Sequence, residues 1–133
     1  GYRYQQIDAQ SLIVTLRCER AVYGVFFGAN DSTNLVRLTT SYGSTVPEDR
    51  RVAIAEAVTR INARFSFGNF DLDFEDGELR FRIGIDVEDG LLSEQMVNNM
   101  LGCALQAMDR FHPALMRIAF GDVEPAAAIA EVP

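Results

Sequence analysis

Apolar and polar residues alternate with a period of two along the opening third of the chain. The pattern is clearest where Leu12, Val14, Leu16 and Cys18 interleave with Ile13, Thr15 and Arg17. Residues i and i+2 of a strand share a face, so this pattern predicts β-structure. Breaks at Asp8 to Gln10, Glu19 to Arg20 and Ala29 to Asn34 divide the stretch from Tyr2 to about Tyr42 into three or four strands. In the third of these, Tyr23, Val25 and Phe27 point one way while Val22, Gly24 and Phe26 point the other, leaving both faces largely apolar. One face can pack under helices. The other, joined by Ile13 and Leu35, needs a cover of its own and is expected to meet a partner or missing chain.

The period then changes. Pro47, Glu48 and Asp49 form a helix start, with proline preset for the first turn and carboxylates near the positive end of the helix dipole. Ile54, Val58, Ile61 and Phe65 follow at helical spacing, and the helix is expected to end near Phe65 to Gly68. Between Phe70 and Val87 the alternation returns around Asp76-Gly77, a two-residue hairpin signal. Closing the turn there sets Phe74 opposite Leu79, Asp73 opposite Arg80, Leu72 opposite Phe81 and Asp71 opposite Arg82. After a turn at Glu88 to Gly90, Ser93 is placed to cap a helix running to about Phe111. Its apolar stripe includes Met96, Met100 and Met108, and the adaptable methionines Met96 and Met100 add a second candidate contact surface. Pro113 is expected to interrupt, with a short helix from Ala114 to Phe120 and a last segment opened by Pro125. The fold class is α+β.

Composition narrows the chemistry. The chain of 133 residues, 48% apolar and 23% charged, is expected to fold as one domain over residues 1–133. Acidic residues outnumber basic ones by 19 to 12, a net charge of −7 that repels phosphate backbones and argues against nucleic acid. Every basic residue is arginine, which excludes Schiff-base and lysine-base chemistry but leaves groups able to clamp an anion. Cys18, Cys103 and the single histidine, His112, fall in no metal-ligand spacing, so neither a metal nor another cofactor is expected. Isolated cysteines in apolar stretches fit a reducing compartment, and no apolar run is long enough to span a bilayer; a cytoplasmic, membrane-free protein is expected.

The candidate catalytic groups have simpler explanations. Asp71, Asp73 and Glu75 share a strand face, but cross-strand arginines convert the row into a charge ladder. A calcium loop fails because Arg82 stands where the closing glutamate belongs. His112 and Asp109 lack an accompanying nucleophile or oxyanion loop, Gly24 and Gly28 lie in a strand with no helix after it to cradle phosphate, and the sequon Asn30-Asp31-Ser32 is silent in a cytoplasmic protein. No enzyme activity is expected.

Several phrases together resemble the YbjN family of bacterial sensory-transduction regulators. They are Val46-Pro47-Glu48-Asp49-Arg50-Arg51, Gly68-Asn69-Phe70-Asp71-Leu72-Asp73, Asp76-Gly77-Glu78-Leu79-Arg80-Phe81-Arg82 and Ala107-Met108-Asp109-Arg110-Phe111-His112-Pro113, with Phe120-Gly121 after them. The resemblance implies a fold like that of type III secretion chaperones, an antiparallel sheet of about five or six strands packed by helices, in the order helix, three strands, helix, two strands, helix. The opening helix has no counterpart before Tyr2, and an extra strand, Tyr2 to Ile7, stands there instead. The family brings no catalytic residues. It implies a regulatory or chaperone-like domain that binds a protein partner, expected to act as a homodimer. The sheet-face residues Ile13, Tyr23, Val25, Phe26, Phe27 and Leu35 and the helix residues Met96 and Met100 are the candidate surface. A sensor domain clamping an anionic ligand between sheet and helices is the alternative.

Overall fold

A computed structural model describes residues 4–8, 10–30, 32–88, 90 and 92–133. Four strands come first: β1 (Tyr4–Asp8), β2 (Ser11–Arg17), β3 (Val22–Asn30) and β4 (Leu35–Ser41). A single 3-10 turn at Glu48–Arg50 leads into α1 (Arg51–Asn62), and β5 (Asn69–Leu72) and β6 (Leu79–Asp86) form a hairpin. Helices α2 (Glu94–Phe120) and α3 (Pro125–Ala130) complete the chain. The strands make one antiparallel sheet in the order β1-β2-β3-β4-β6-β5. This is the expected α+β architecture with six strands, and the strand breaks fall where the turn residues predict them. The expected beginning of the first strand at Tyr2 and the sequon residue Asp31 lie outside the described residues.

The alternation read from the sequence decides which side of the sheet meets the helices. Leu16, Tyr23, Val25, Val36, Leu38, Phe81 and Ile83 are buried on the inner face beneath α1 and α2. Ile54, Ala57, Val58 and Ile61 are the buried stripe of α1, and the buried positions of α2 run from Met100 to Ala119. Phe65, Phe70, Phe81 and Phe111 meet at the centre, with ring centroids 5.0 to 6.0 Å apart in tilted and edge-on pairs, the arrangement that ring quadrupoles favour.

Three local expectations are corrected. Helix α1 stops at Asn62, short of Phe65 to Gly68. The Asn62 side-chain carbonyl accepts the Phe70 N–H at 2.8 Å and its amide donates to the Phe70 carbonyl at 3.1 Å, so the chain leaves the helix there to dock against edge strand β5. Gly68, at φ 80°, completes the turn, and a Cβ at that position would lie 2.7 Å from the Phe81 ring.

Pro113 does not interrupt α2, which continues to Phe120. Proline removes one helix hydrogen bond and costs roughly 3 kcal/mol in a helix interior. Against that, Ala114, Leu115, Ile118 and Ala119 continue the buried stripe beyond Pro113, and the Tyr42 hydroxyl donates to the Met108 carbonyl at 2.9 Å in the preceding turns. Ser93 caps the other end as expected, its hydroxyl accepting the Met96 N–H at 3.1 Å.

The β5–β6 hairpin is offset by two residues from the expected register: Leu72 faces Leu79, Phe70 faces Phe81 and Asp71 faces Arg80. Asp76-Gly77 is therefore part of a longer loop from Asp73 to Glu78. The acidic side chains explain the difference. Asp73 Oδ1 accepts the Glu75 N–H, the Asp73 carbonyl accepts the Gly77 N–H and Asp76 Oδ1 accepts the Glu78 N–H, each at 2.8 Å. A shift of two preserves every residue's face, so the apolar pattern cannot distinguish the registers.

Candidate functional site

Helices α1, α2 and α3 contact one another on the inner side of the sheet, and among the described residues the outer face of the central strands carries no helix. Three cross-strand rows make up this face. Ser11, Gly28, Arg37 and Gly84 form the first; Ile13, Phe26, Thr39 and Arg82 the second; Thr15, Gly24, Ser41 and Arg80 the third. Each row contributes one arginine and at least one small residue. The Phe26 ring lies over Gly28, whose added Cβ would stand 2.9 Å from it, while Gly24 and Gly84 leave open space above the backbone. Two shallow hollows of about 470 and 490 Å³ result, one on each side of Phe26, with Phe26, Arg37 and Arg82 common to both.

The charges on this face are unevenly matched. Arg80 and Arg82 share Asp71, at 2.9 and 3.2 Å, and Arg80 also lies 3.8 Å from Glu78. The expected pairing of Asp71 and Asp73 with one arginine each is thus corrected, because the register brings both arginines to Asp71 and turns Asp73 into the loop. Arg37 is exposed and has no carboxylate partner among the described residues.

The structure divides the candidate interaction residues. Ile13 (39% exposed) and Leu35 (48%) lie on the open face with the half-buried Phe26. Tyr23 (0%), Val25 (1%) and Met100 (1%) are core residues and cannot form a surface. Phe27 packs against the core from the inner face, and Met96 is half-buried near the start of α2. Arg80 and Arg82 were read as a charge ladder on one strand face, and Arg37 was the signal not read from the sequence. Arg37 joins Arg80 and Arg82 on that face only once the β4–β6 pairing is known.

A polar cluster at the β2–β3 turn is the other arrangement with chemical potential. The Asp109 carboxylate accepts the Glu19 N–H at 3.1 Å, the Arg20 N–H at 3.3 Å and the Tyr23 hydroxyl at 2.6 Å. His112, one turn along α2, has its ring centroid 5.5 Å from that of Tyr42 and 6.4 Å from that of Tyr23, and its Nδ1 is enclosed without a hydrogen-bond partner. Burial and the hydrogen bond to Asp109 push the Tyr23 hydroxyl up, and burial, reinforced by Asp109, pushes up the Cys18 thiol. Neither group is activated as a nucleophile at neutral pH. Asp109 joins the β2–β3 turn to α2. Among the described residues, no group of three His, Cys, Asp or Glu side chains is placed to hold a metal.

Burial lowers His112 below its ordinary value of 6.5, with Arg20 adding and Asp109 opposing. Between 6.5 and the lowered value the unfolded chain binds the proton and the folded chain does not. Stability is therefore complete above 6.5 and falls as pH drops through that window. Thermal unfolding followed from about pH 7.5 down to about pH 5.5 is expected to show a falling midpoint for the native chain and a flatter profile for His112→Gln. Parallel profiles would assign the slope to other groups.

The fold and site together describe a one-sided sheet-and-helix domain with an open, arginine-bearing sheet face. The family model that matches residues 1–117 is YbjN, "Putative bacterial sensory transduction regulator". The chain belongs to the YbjN family. Among solved structures, "Crystal structure of YbjN, a putative transcription regulator from E. coli" shares the fold, with a TM-score of 0.57 and 15% identity over 88% of this chain and 79% of that one. A comparison with curated proteins finds no match. No helix among the described residues is long and apolar enough to cross a membrane.

Proposed function

We propose that this protein is a non-catalytic regulatory module, chaperone-like in action, that holds a polypeptide partner on the uncovered face of its sheet in the cytoplasm. One observation supports the reading above others: Ile13 beside Phe26, and Leu35 two rows away beyond Gly28 and Arg37, place apolar side chains on a sheet face that no helix among the described residues packs on. Membership of a family of regulators agrees with it. The alternative, an anionic ligand between sheet and helices, has less support. Phenylalanine rings fill that interior, and the sheet arginines able to clamp an anion lie on the opposite side.

The test compares capture from a lysate of the source organism by the native chain, by Phe26→Asp on the open face and by Phe74→Asp, a control in the exposed hairpin loop. A polypeptide retained near stoichiometry by the native chain and the control, and lost with Phe26→Asp, is the expected result. Equal retention by all three would remove the open face from the function. The expected pairing of two copies is a separate property, read by sedimentation of the same samples, and Phe26→Asp is expected to leave the mass unchanged.

A further inference from the structure

Building on that reading, we propose that the occupant of the open face is an acidic polypeptide segment bearing a large apolar side chain. Its carboxylate sits on Arg37 beside Arg82, and its apolar group rests on Phe26. The face is unusual for a chain of net charge −7, because each of its three central rows presents an arginine. Arg80 and Arg82 are partly neutralised by Asp71. Arg37 is not. It stands between Gly28 and Gly84 in its row, and a Cβ added at Gly84 would meet nothing within 4 Å, so its planar guanidinium can be approached by a carboxylate from the strand side.

Spacing favours an extended segment. Arg82 and Gly84 are successive outward residues of β6, and Arg37 lies opposite Gly84, so Arg37 and Arg82 are diagonal neighbours, a relation that spaces residues roughly 7–8 Å apart and their Cβ atoms somewhat less. Alternate side chains of an extended peptide repeat at about 6.6–6.8 Å, close enough for one carboxylate to lie between the two guanidinium groups or for two in succession to use one each. The hollows on either side of Phe26 offer apolar contact for neighbouring residues. Nucleic acid fits less well: Asp71 and Glu78 stand on the same face, so a backbone charged at every nucleotide would meet carboxylates there, whereas a peptide needs only one or two carboxylates, at Arg37 and Arg82.

The probe is a fluorescein-labelled peptide of alternating glutamate with leucine and phenylalanine, followed by anisotropy. Partner peptides carry glutamine or arginine in place of glutamate. Affinity for the glutamate peptide is expected to fall about tenfold or more with the glutamine peptide and with Arg37→Glu, and to weaken with added salt. Arg60→Glu makes the same charge change on α1, where Arg60 pairs with Glu56 away from the sheet face, and is expected to bind as the native chain does. Equal binding by Arg37→Glu and Arg60→Glu, or equal binding of the arginine peptide, overturns the proposal. If no peptide binds while Phe26→Asp still abolishes capture, the acidic occupant is wrong and the binding-module reading stands. If Phe26→Asp instead dissociates a native dimer, a second copy covers the face and the acidic segment is excluded. Displacement of the glutamate peptide by millimolar inorganic phosphate equally well in the native chain and Phe26→Asp would show an anion site without a peptide platform, and would also overturn it.

Discussion

Gly77→Ala is expected to lower the stability of the fold by about 2–5 kcal/mol. Gly77 lies at φ 78°, where an L side chain is strained, and a Cβ there would stand 2.4 Å from the Val46 carbonyl oxygen. Neither group can move freely. The Val46 N–H donates to the Gly77 carbonyl at 2.8 Å, and Arg51 ties the same junction together from the helix side. Its Nε donates to the Val46 carbonyl at 3.1 Å, and its Nη1 donates to the Phe74 and Glu75 carbonyls at 2.8 and 3.1 Å. The substitution therefore pushes the hairpin loop away from the start of α1 as well as straining the turn. Urea unfolding is the measurement. Gly84→Ala, in a strand with nothing within 4 Å of the new carbon, is the control and is expected to change the midpoint little. Equal midpoints for the two variants would show that the loop is not held against the helix.

The same loop shows where sequence reasoning reached its limit. The period-two pattern placed the strands and assigned each residue to a face, because burial on one side of a sheet leaves no other arrangement of the apolar side chains. It could not count turn residues, since registers two apart bury the same side chains. Asp73 and Asp76 decided the matter through main-chain hydrogen bonds that the acidic stretch permits but does not announce. Pro113 misled in a similar way. Local propensity predicts a break, but the buried stripe from Ala107 through Leu115 rewards continuity, and tertiary packing prevailed.

The candidate surface was legible only in part. The two-sided apolar character of β3 correctly required an inner and an outer face, but the residues could not say which side the helices would choose. Tyr23 and Val25 went inward, Phe26 outward. Arg80 and Arg82 were legible as neighbours on one strand, but the approach of Arg37 to them was invisible because it is a property of strand order. By contrast, the phrases that carry the family resemblance turn out to hold architecture. Arg50 donates to the Ile118 carbonyl in the last turn of α2 at 2.8 Å and to the Val123 carbonyl just beyond it at 3.0 Å, and Arg51 fastens the hairpin loop. Asn62, which fixes the edge strand, lies between such phrases. Staples of this kind identify the fold and say nothing of what it binds.

Asp109→Ala is expected to cost about 2–4 kcal/mol, through structure alone. The Tyr23 hydroxyl, on a side chain that is 0% exposed, would lose its 2.6 Å acceptor, and the turn N–H groups of Glu19 and Arg20 would lose theirs. The two turn residues are exposed and can turn to water; the buried hydroxyl carries most of the penalty. That asymmetry gives a sharp test by double-mutant cycle. Tyr23→Phe removes the stranded hydroxyl, so Asp109→Ala should cost clearly less in the Tyr23→Phe background than in the native one, as read from urea midpoints at unchanged denaturant dependence. Additive losses would mean that the carboxylate acts mainly on the turn, with the tyrosine incidental. The capture experiment then separates architecture from recognition: under conditions where it remains folded, Asp109→Ala should retain the partner, because the carboxylate lies against the β2–β3 turn and α2 and the proposed binding face is on the far side of the sheet. Loss of capture with the fold intact would move the binding site to the Asp109 cluster and reopen a direct role for it.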